Sequence, residues 1–210
     1  MVDDMMIYPR SRRSWQEYKE FAANTCYSVI LIGIALVLLR PVMVRQILSR
    51  AEAYSSVGLV DESRRECDKA LLIDGESGHA WYQLARLYKA AGDREKAYAA
   101  YQKATQVDPK NKLAQFELGM MYSDDGSYPS AIPCFEQVRA LGPEKARDLQ
   151  LGTPPYHRDS LNMLALCYEK TDDSTKLEFA LEEINIFYPG FGNAEQRLAQ
   201  LKNGSPAGKR

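Results

Sequence analysis

The chain has little of what catalytic and metal sites are usually built from. Among its 210 residues there are two histidines, His79 and His157, and four cysteines that form no CxxC pair. Neither histidine has a second His or a Cys at metal-ligand spacing, so no metal is expected. There is no HExxH, no glycine-rich phosphate loop, and no Ser, Cys or carboxylate placed beside a histidine as nucleophile and base. Asp124-Asp125 and Asp172-Asp173 are paired acids, but both fall where turns between helices are expected, and solvated Asp is ordinary there. No cofactor is expected, and the chain is not expected to be an enzyme. An excess of positive charge is missing as well. With 27 Lys and Arg against 28 Asp and Glu, no field gathers a polyanion, which argues against nucleic acid. Cys26, Cys67, Cys134 and Cys167 are expected to act as small buried apolar side chains.

One stretch lacks charge entirely. From Phe21 to Leu39, 19 residues carry no ionisable group other than Cys26 and Tyr27. As a helix they reach about 28 Å, close to the roughly 30 Å hydrocarbon thickness of a bilayer. Apolar character resumes after Arg40 and Pro41 with Val42, Met43 and Val44, and Arg40 can extend its head group toward the interface. Residues 21–44 are therefore expected to contact lipid as a single transmembrane helix behind a polar segment, 1–20. A cleaved signal peptide fits less well: about twenty polar residues precede the run, it exceeds the usual length of about 7 to 15, and no A-x-A site follows. A buried core helix fits poorly too, because an all-round apolar helix needs a larger protein to hide in. Arg10, Arg12, Arg13 and Lys19 precede the segment, whereas Arg40, Arg45 and Arg50 follow it. That balance favours an inside N-terminus and places the rest of the chain on the periplasmic or outer side.

Beyond residue 44 the sequence aligns with itself at a fixed step. In 78–111, Trp81, Leu84, Ala85 and Tyr88 follow the i, i+3, i+4, i+7 spacing of one helical face. Gly92 then permits a turn, Ala97, Tyr101 and Ala104 mark a second helix, and Pro109 ends it. In 112–145 the same places hold Leu118, Gly119, Tyr122, Gly126, Ala131, Phe135 and Pro143. These residues resemble the tetratricopeptide repeat, W-x2-L-G-x2-Y followed by A-x3-F and P. The resemblance implies an all-α solenoid of stacked helix hairpins over 45–202. Small residues such as Ala85 with Ala97 and Gly119 with Ala131 would let the two helices of each hairpin approach closely. A fainter copy at 44–77 has Ala51, Tyr54, Gly58, Cys67 and Ala70 in place, with Ser63 for the usual Ala. Another at 158–191 has Leu161, Leu164, Ala165, Tyr168, Leu181, Ile184 and Pro189. There Asp172 stands for the turn Gly and Leu177 for a small residue, departures that bear on how closely its helices pack. An insertion, 146–157, breaks the register; Ala146–Leu151 is compatible with a longer preceding helix, Gly152-Thr-Pro-Pro155 is not. A capping helix at 193–202 and a disordered tail at 203–210 complete the expected organisation.

If the resemblance holds, positions 2, 5, 9, 12 and 13 of each first helix line a groove. In the second repeat these are His79, Tyr82, Arg86, Lys89 and Ala90; in the third, Leu113, Phe116, Met120, Ser123 and Asp124. Phe116 and Met120 stand where family members that clamp a terminal carboxylate need polar groups, which argues against that activity here. An extended peptide or amphipathic helix with an apolar side suits Tyr82, Leu113, Phe116 and Met120, with Arg86 and Lys89 available to an acidic residue. The expected function is a membrane-anchored scaffold or assembly factor that recruits partner proteins. The alternative is an accessory subunit of a larger membrane complex, whose helix packs through Gly33 and Ala35 against others.

Overall fold

The computed structural model describes residues 12–145, 149, 152 and 154–204, and its regular elements there are helices. The expected polar start of the chain up to residue 11, most of the insertion (146–148, 150, 151, 153) and the tail from 205 onward lie outside the described residues. Among the described residues nine α-helices follow in order: α1 (Arg12–Ser56), α2 (Val60–Ile73), α3 (Gly78–Ala90), α4 (Arg94–Val107), α5 (Lys112–Asp124), α6 (Tyr128–Ala140), α7 (Tyr156–Lys170), α8 (Ser174–Phe187) and α9 (Ala194–Lys202), with a 3-10 turn at Phe191–Asn193. The chain divides into two compact units, 1–46 and 47–210, and α1 runs through the division.

In the first unit the helix is long and apolar enough to cross a membrane. Val29, Ile32, Val37 and Leu38 lie open on different sides of it, as expected of a helix that has no polar face to turn toward water. Cys26 is also exposed. The expectation that all four cysteines are buried fails there, because Cys26 sits on a helix that no protein covers.

The second unit is a stack of hairpins. α3 packs on α4, α5 on α6, and α7 on α8, while α4–α5 and α6–α7 contacts join successive pairs. Turn chemistry sets each hairpin. Gly92 and Gly126 adopt φ of 77° and 72°, the left-handed region that costs glycine little. Asp172 takes the equivalent place with φ of 57°, so an aspartate is held where glycine is usual. Asp93, Asn111 and Asp173 cap the next helices by accepting from the backbone N–H three residues on, and such a cap contributes about 1 kcal/mol. Ser63 fits the place of a small apolar residue because its buried hydroxyl donates to the Ala51 carbonyl at 2.7 Å.

Two apolar clusters fill the stack. One gathers Tyr82, Ala85, Ala97, Tyr101, Ala104 and Leu118; the other gathers Phe135, Leu161, Leu164, Leu177, Leu181 and Ile184. Leu177 is 6% exposed within the second, so the last hairpin closes over a large side chain where a small one is usual. Gly119 shows why a repeat wants a small residue at its place: a Cβ there would stand 2.8 Å from Cε1 of Phe135. The last hairpin starts earlier than its repeat register suggests. Pro155 precedes the first turn of α7, and Tyr156 and His157 belong to the helix and not to the insertion. At the far end Arg158 lies 4.4 Å over the Phe191 ring, and Arg197 bonds Glu169 at 2.9 Å, which holds the 3-10 turn and α9 against the last pair.

Candidate functional site

Direct contacts join the first helices of successive hairpins, which carry the residues expected to line a groove. Lys89 of α3 donates to Glu117 of α5 at 2.7 Å. Phe116 of α5 meets Tyr156 of α7 edge-on, with ring centroids 5.3 Å apart. Glu52, near the end of α1, accepts from Gln83 of α3 at 2.6 Å and lies 3.2 Å from His79.

Each expected groove residue has a definite setting. Tyr82 is only 4% exposed. Its ring is wedged between His79 at 6.2 Å and Tyr101 at 6.1 Å, and burial pushes its phenol up to about 12. The expectation of Tyr82 as a partner contact is corrected: its ring is buried and forms a floor, because the helices close over it. Arg86 lies over that floor, 5.8 Å from the ring centroid, and hydrogen-bonds Gln83 Oε1 at 3.3 Å. It is exposed and, among the described residues, has no carboxylate within ion-pair distance. Lys89, expected to meet an acidic ligand, is instead neutralised by Glu117.

Phe116 is partly buried, its ring edge-on to the buried Phe135 at 5.8 Å. Met120 is partly buried against the same core. Leu113 remains open at 36% exposure and helps line a cavity of about 340 Å³ with Lys112, Leu141, Pro143, Glu144, Lys145 and Tyr156. Tyr156 is half-buried; burial raises its phenol, the carboxylate of Glu117 adds to the rise, and Arg86 opposes it. Arg86, Glu117 and Tyr156 therefore share one electrostatic neighbourhood.

Four participants were not expected: Glu52, Gln83, Glu117 and Tyr156. Glu52 is position 9 of the first repeat, so the positional rule applied to 44–77 would have found it. Gln83 and Glu117 both stand at position 6, next to the lining positions. Tyr156 had no such signal, because its place depends on the broken register. Among the described residues, no three His, Cys, Asp or Glu side chains gather as a metal site would require. His157 is 1% exposed and hydrogen-bonds the Tyr188 hydroxyl at 3.0 Å, a side chain packed into the interior.

Comparison with known proteins agrees with the stacked-hairpin fold. The family described as tetratricopeptide repeat matches residues 78–111. Among curated proteins none matches the chain. Several solved structures share its fold. YrrB, described as a tetratricopeptide-repeat protein with an unusual peptide-binding site, superposes with a TM-score of 0.58 at 16% identity, covering 75% of each chain. MamA of Desulfovibrio magneticus gives 0.56 at 16% identity over 78% of this chain and 86% of its own. PilW, described as a type IV pilus biogenesis factor, gives 0.53 at 17% identity over 78% and 70%.

Proposed function

The chain carries a tetratricopeptide repeat and folds as proteins built from it do, and on that premise we propose that it is a membrane-anchored scaffold that recruits partner proteins. The apolar segment 21–44 is its anchor, spanning the bilayer and touching lipid. The repeat domain from 45 to 202 stands on the periplasmic or outer side, and its groove holds a peptide or helix of the partner. One observation carries this reading. Arg86 is an exposed cation held over an aromatic floor and, among the described residues, without a carboxylate within ion-pair distance, while Phe116, Met120 and Leu113 of the next first helix offer apolar surface. A charge positioned beside apolar surface is what an interface hot spot supplies. The peptide-binding site named for YrrB and the pilus-biogenesis role named for PilW support the reading by analogy of fold. No step of chemistry is assigned to the chain.

A second reading is favoured by the apolar helix. Ile30, Gly33, Ile34, Val37 and Leu38 form a shallow concave face around Gly33, suited to another membrane helix. On that reading the chain is an accessory subunit of a larger complex. The two readings part when the full chain is extracted in mild detergent and its co-purifying proteins are counted. Replacing Arg86, Phe116 and Met120 together by Ala is expected to remove the recruited proteins. Unchanged proteins in fixed stoichiometry would overturn recruitment through the groove.

A further inference from the structure

The residues that flank the insertion are fastened with unusual care. Glu144, the second residue before 146, has a side chain 6% exposed. Its carboxylate accepts from the backbone N–H of His157 at 3.2 and 3.3 Å. The same carboxylate accepts from Lys112 at 3.2 Å, and Lys112 also donates to the Gly142 carbonyl at 2.5 Å. Both flanks are thereby tied to the first turn of α5 by charge-assisted bonds, which are stronger than neutral ones. A neutral surface loop needs no such tie. Its consequence is local: the first residue of α7, Tyr156, is fixed with its ring against Phe116.

Lys89 has Glu117, and Lys112 has Glu144. Among the described residues Arg86 has no carboxylate within ion-pair distance, and its charge acts on Tyr156; Lys145, on the cavity rim, is a second exposed cation. Glu52 carries the opposite sign toward the first repeat, bonded to His79 and Gln83, so a uniformly acidic ligand is repelled there. The complement is therefore one acid beside one large apolar group. In an extended peptide, side chains two residues apart share a face and lie about 6.6 Å apart.

Resting on the recruitment reading above, we propose that the flank of the insertion builds a specificity notch in the groove. Tyr156, with Phe116 and Leu113, takes an aromatic side chain of the partner peptide, while Arg86 takes an acidic side chain close to it in the same peptide. Tyr156 is the residue that decides the apolar half of this code, and Glu144 is the residue that positions it.

The test uses the full chain in detergent micelles and four labelled 12-residue peptides that differ only at their centre: Glu-Ala-Phe, Glu-Ala-Ser, Gln-Ala-Phe and Lys-Ala-Phe. Fluorescence anisotropy is expected to give at least tenfold tighter binding for the first than for each of the others. Tyr156→Ala should remove the preference for Phe over Ser while leaving that for Glu over Gln, and Tyr156→Phe should restore it. Arg86→Gln should do the reverse. Equal binding of Glu-Ala-Phe and Glu-Ala-Ser, or a preference untouched by Tyr156→Ala, overturns the notch. If no peptide binds while the triple groove variant still loses its cellular partners, the notch fails and recruitment stands; if that variant keeps its partners, recruitment fails as well.

Discussion

Replacing Gly119 by Ala adds one methyl group where α5 crosses α6. That Cβ would stand 2.8, 2.9 and 3.1 Å from Cε1, Cζ and Cδ1 of Phe135, well inside the ordinary carbon separation of about 3.5–4.0 Å. The ring cannot yield easily: it is fully buried, edge-on to Phe116, and part of one core cluster with Leu161, Leu164 and Ala165. Overpacking of this kind costs about 1–3 kcal/mol. Against it stands the better helix propensity of Ala, about 1 kcal/mol. The net is a loss centred near 1 kcal/mol, or about 2–4 °C in Tm for a domain of this size. Thermal unfolding of the full chain in detergent, followed by circular dichroism at 222 nm, measures it. Phe135→Leu makes room for the methyl, so the double variant should be more stable than the sum of the two single losses. A raised Tm for Gly119→Ala, with strict additivity in the double variant, would refute the close approach of α5 and α6.

His157 is buried, and desolvation lowers its pKa, with Lys112 and Arg139 acting in the same sense and Glu144 and a hydrogen bond to the Arg139 backbone against it. A histidine depressed in the folded state stabilises above its unfolded value of about 6.5 and loses that contribution as pH falls below it; Tm should fall between pH 7.5 and 5.5, and His157→Gln should flatten that slope. Burial pushes Cys67 up to about 12 and Cys134 and Cys167 up to about 11, so these three thiols should stay unmodified by an alkylating reagent at pH 8 until the domain is unfolded. Asp172→Gly should stabilise the last hairpin by about 0.5–1 kcal/mol, since a left-handed non-glycine residue costs about 1–2 kcal/mol and glycine returns part of that as chain entropy. An unchanged or lower Tm would mean that the Asp172 side chain contributes something its φ does not reveal.

The hairpins were legible in the sequence because each slot answers a local demand: Trp81, Leu84, Ala85 and Tyr88 make one face, Gly92 and Gly126 make turns, and small Gly119 faces Phe135. What escaped depends on partners far along the chain. Lys89 looks free until Glu117, 28 residues on, is brought against it. Tyr82 looks open until Tyr101 closes beneath it. Tyr156 looks like loop because the repeat register is lost there, yet the backbone bond from Asp159 to the Pro155 carbonyl begins the helix at 156, and Glu144 accepts from the next residue's N–H. Leu177 and Asp172 break the repeat's local preferences, yet packing around Leu161 and Ile184 accommodates the first and the turn itself holds the second.

Recruitment through the groove is tested most directly by a photocrosslinking phenylalanine analogue placed at single positions of the full chain in living cells. Leu113 and Lys89 stand at the proposed groove positions of the first helices, whereas Leu72 and Phe179 are 87% and 56% exposed on second helices. Discrete higher-mass adducts are expected from positions 113 and 89 and none from 72 and 179. Adducts confined to 72 or 179 would contradict a partner held between the first helices.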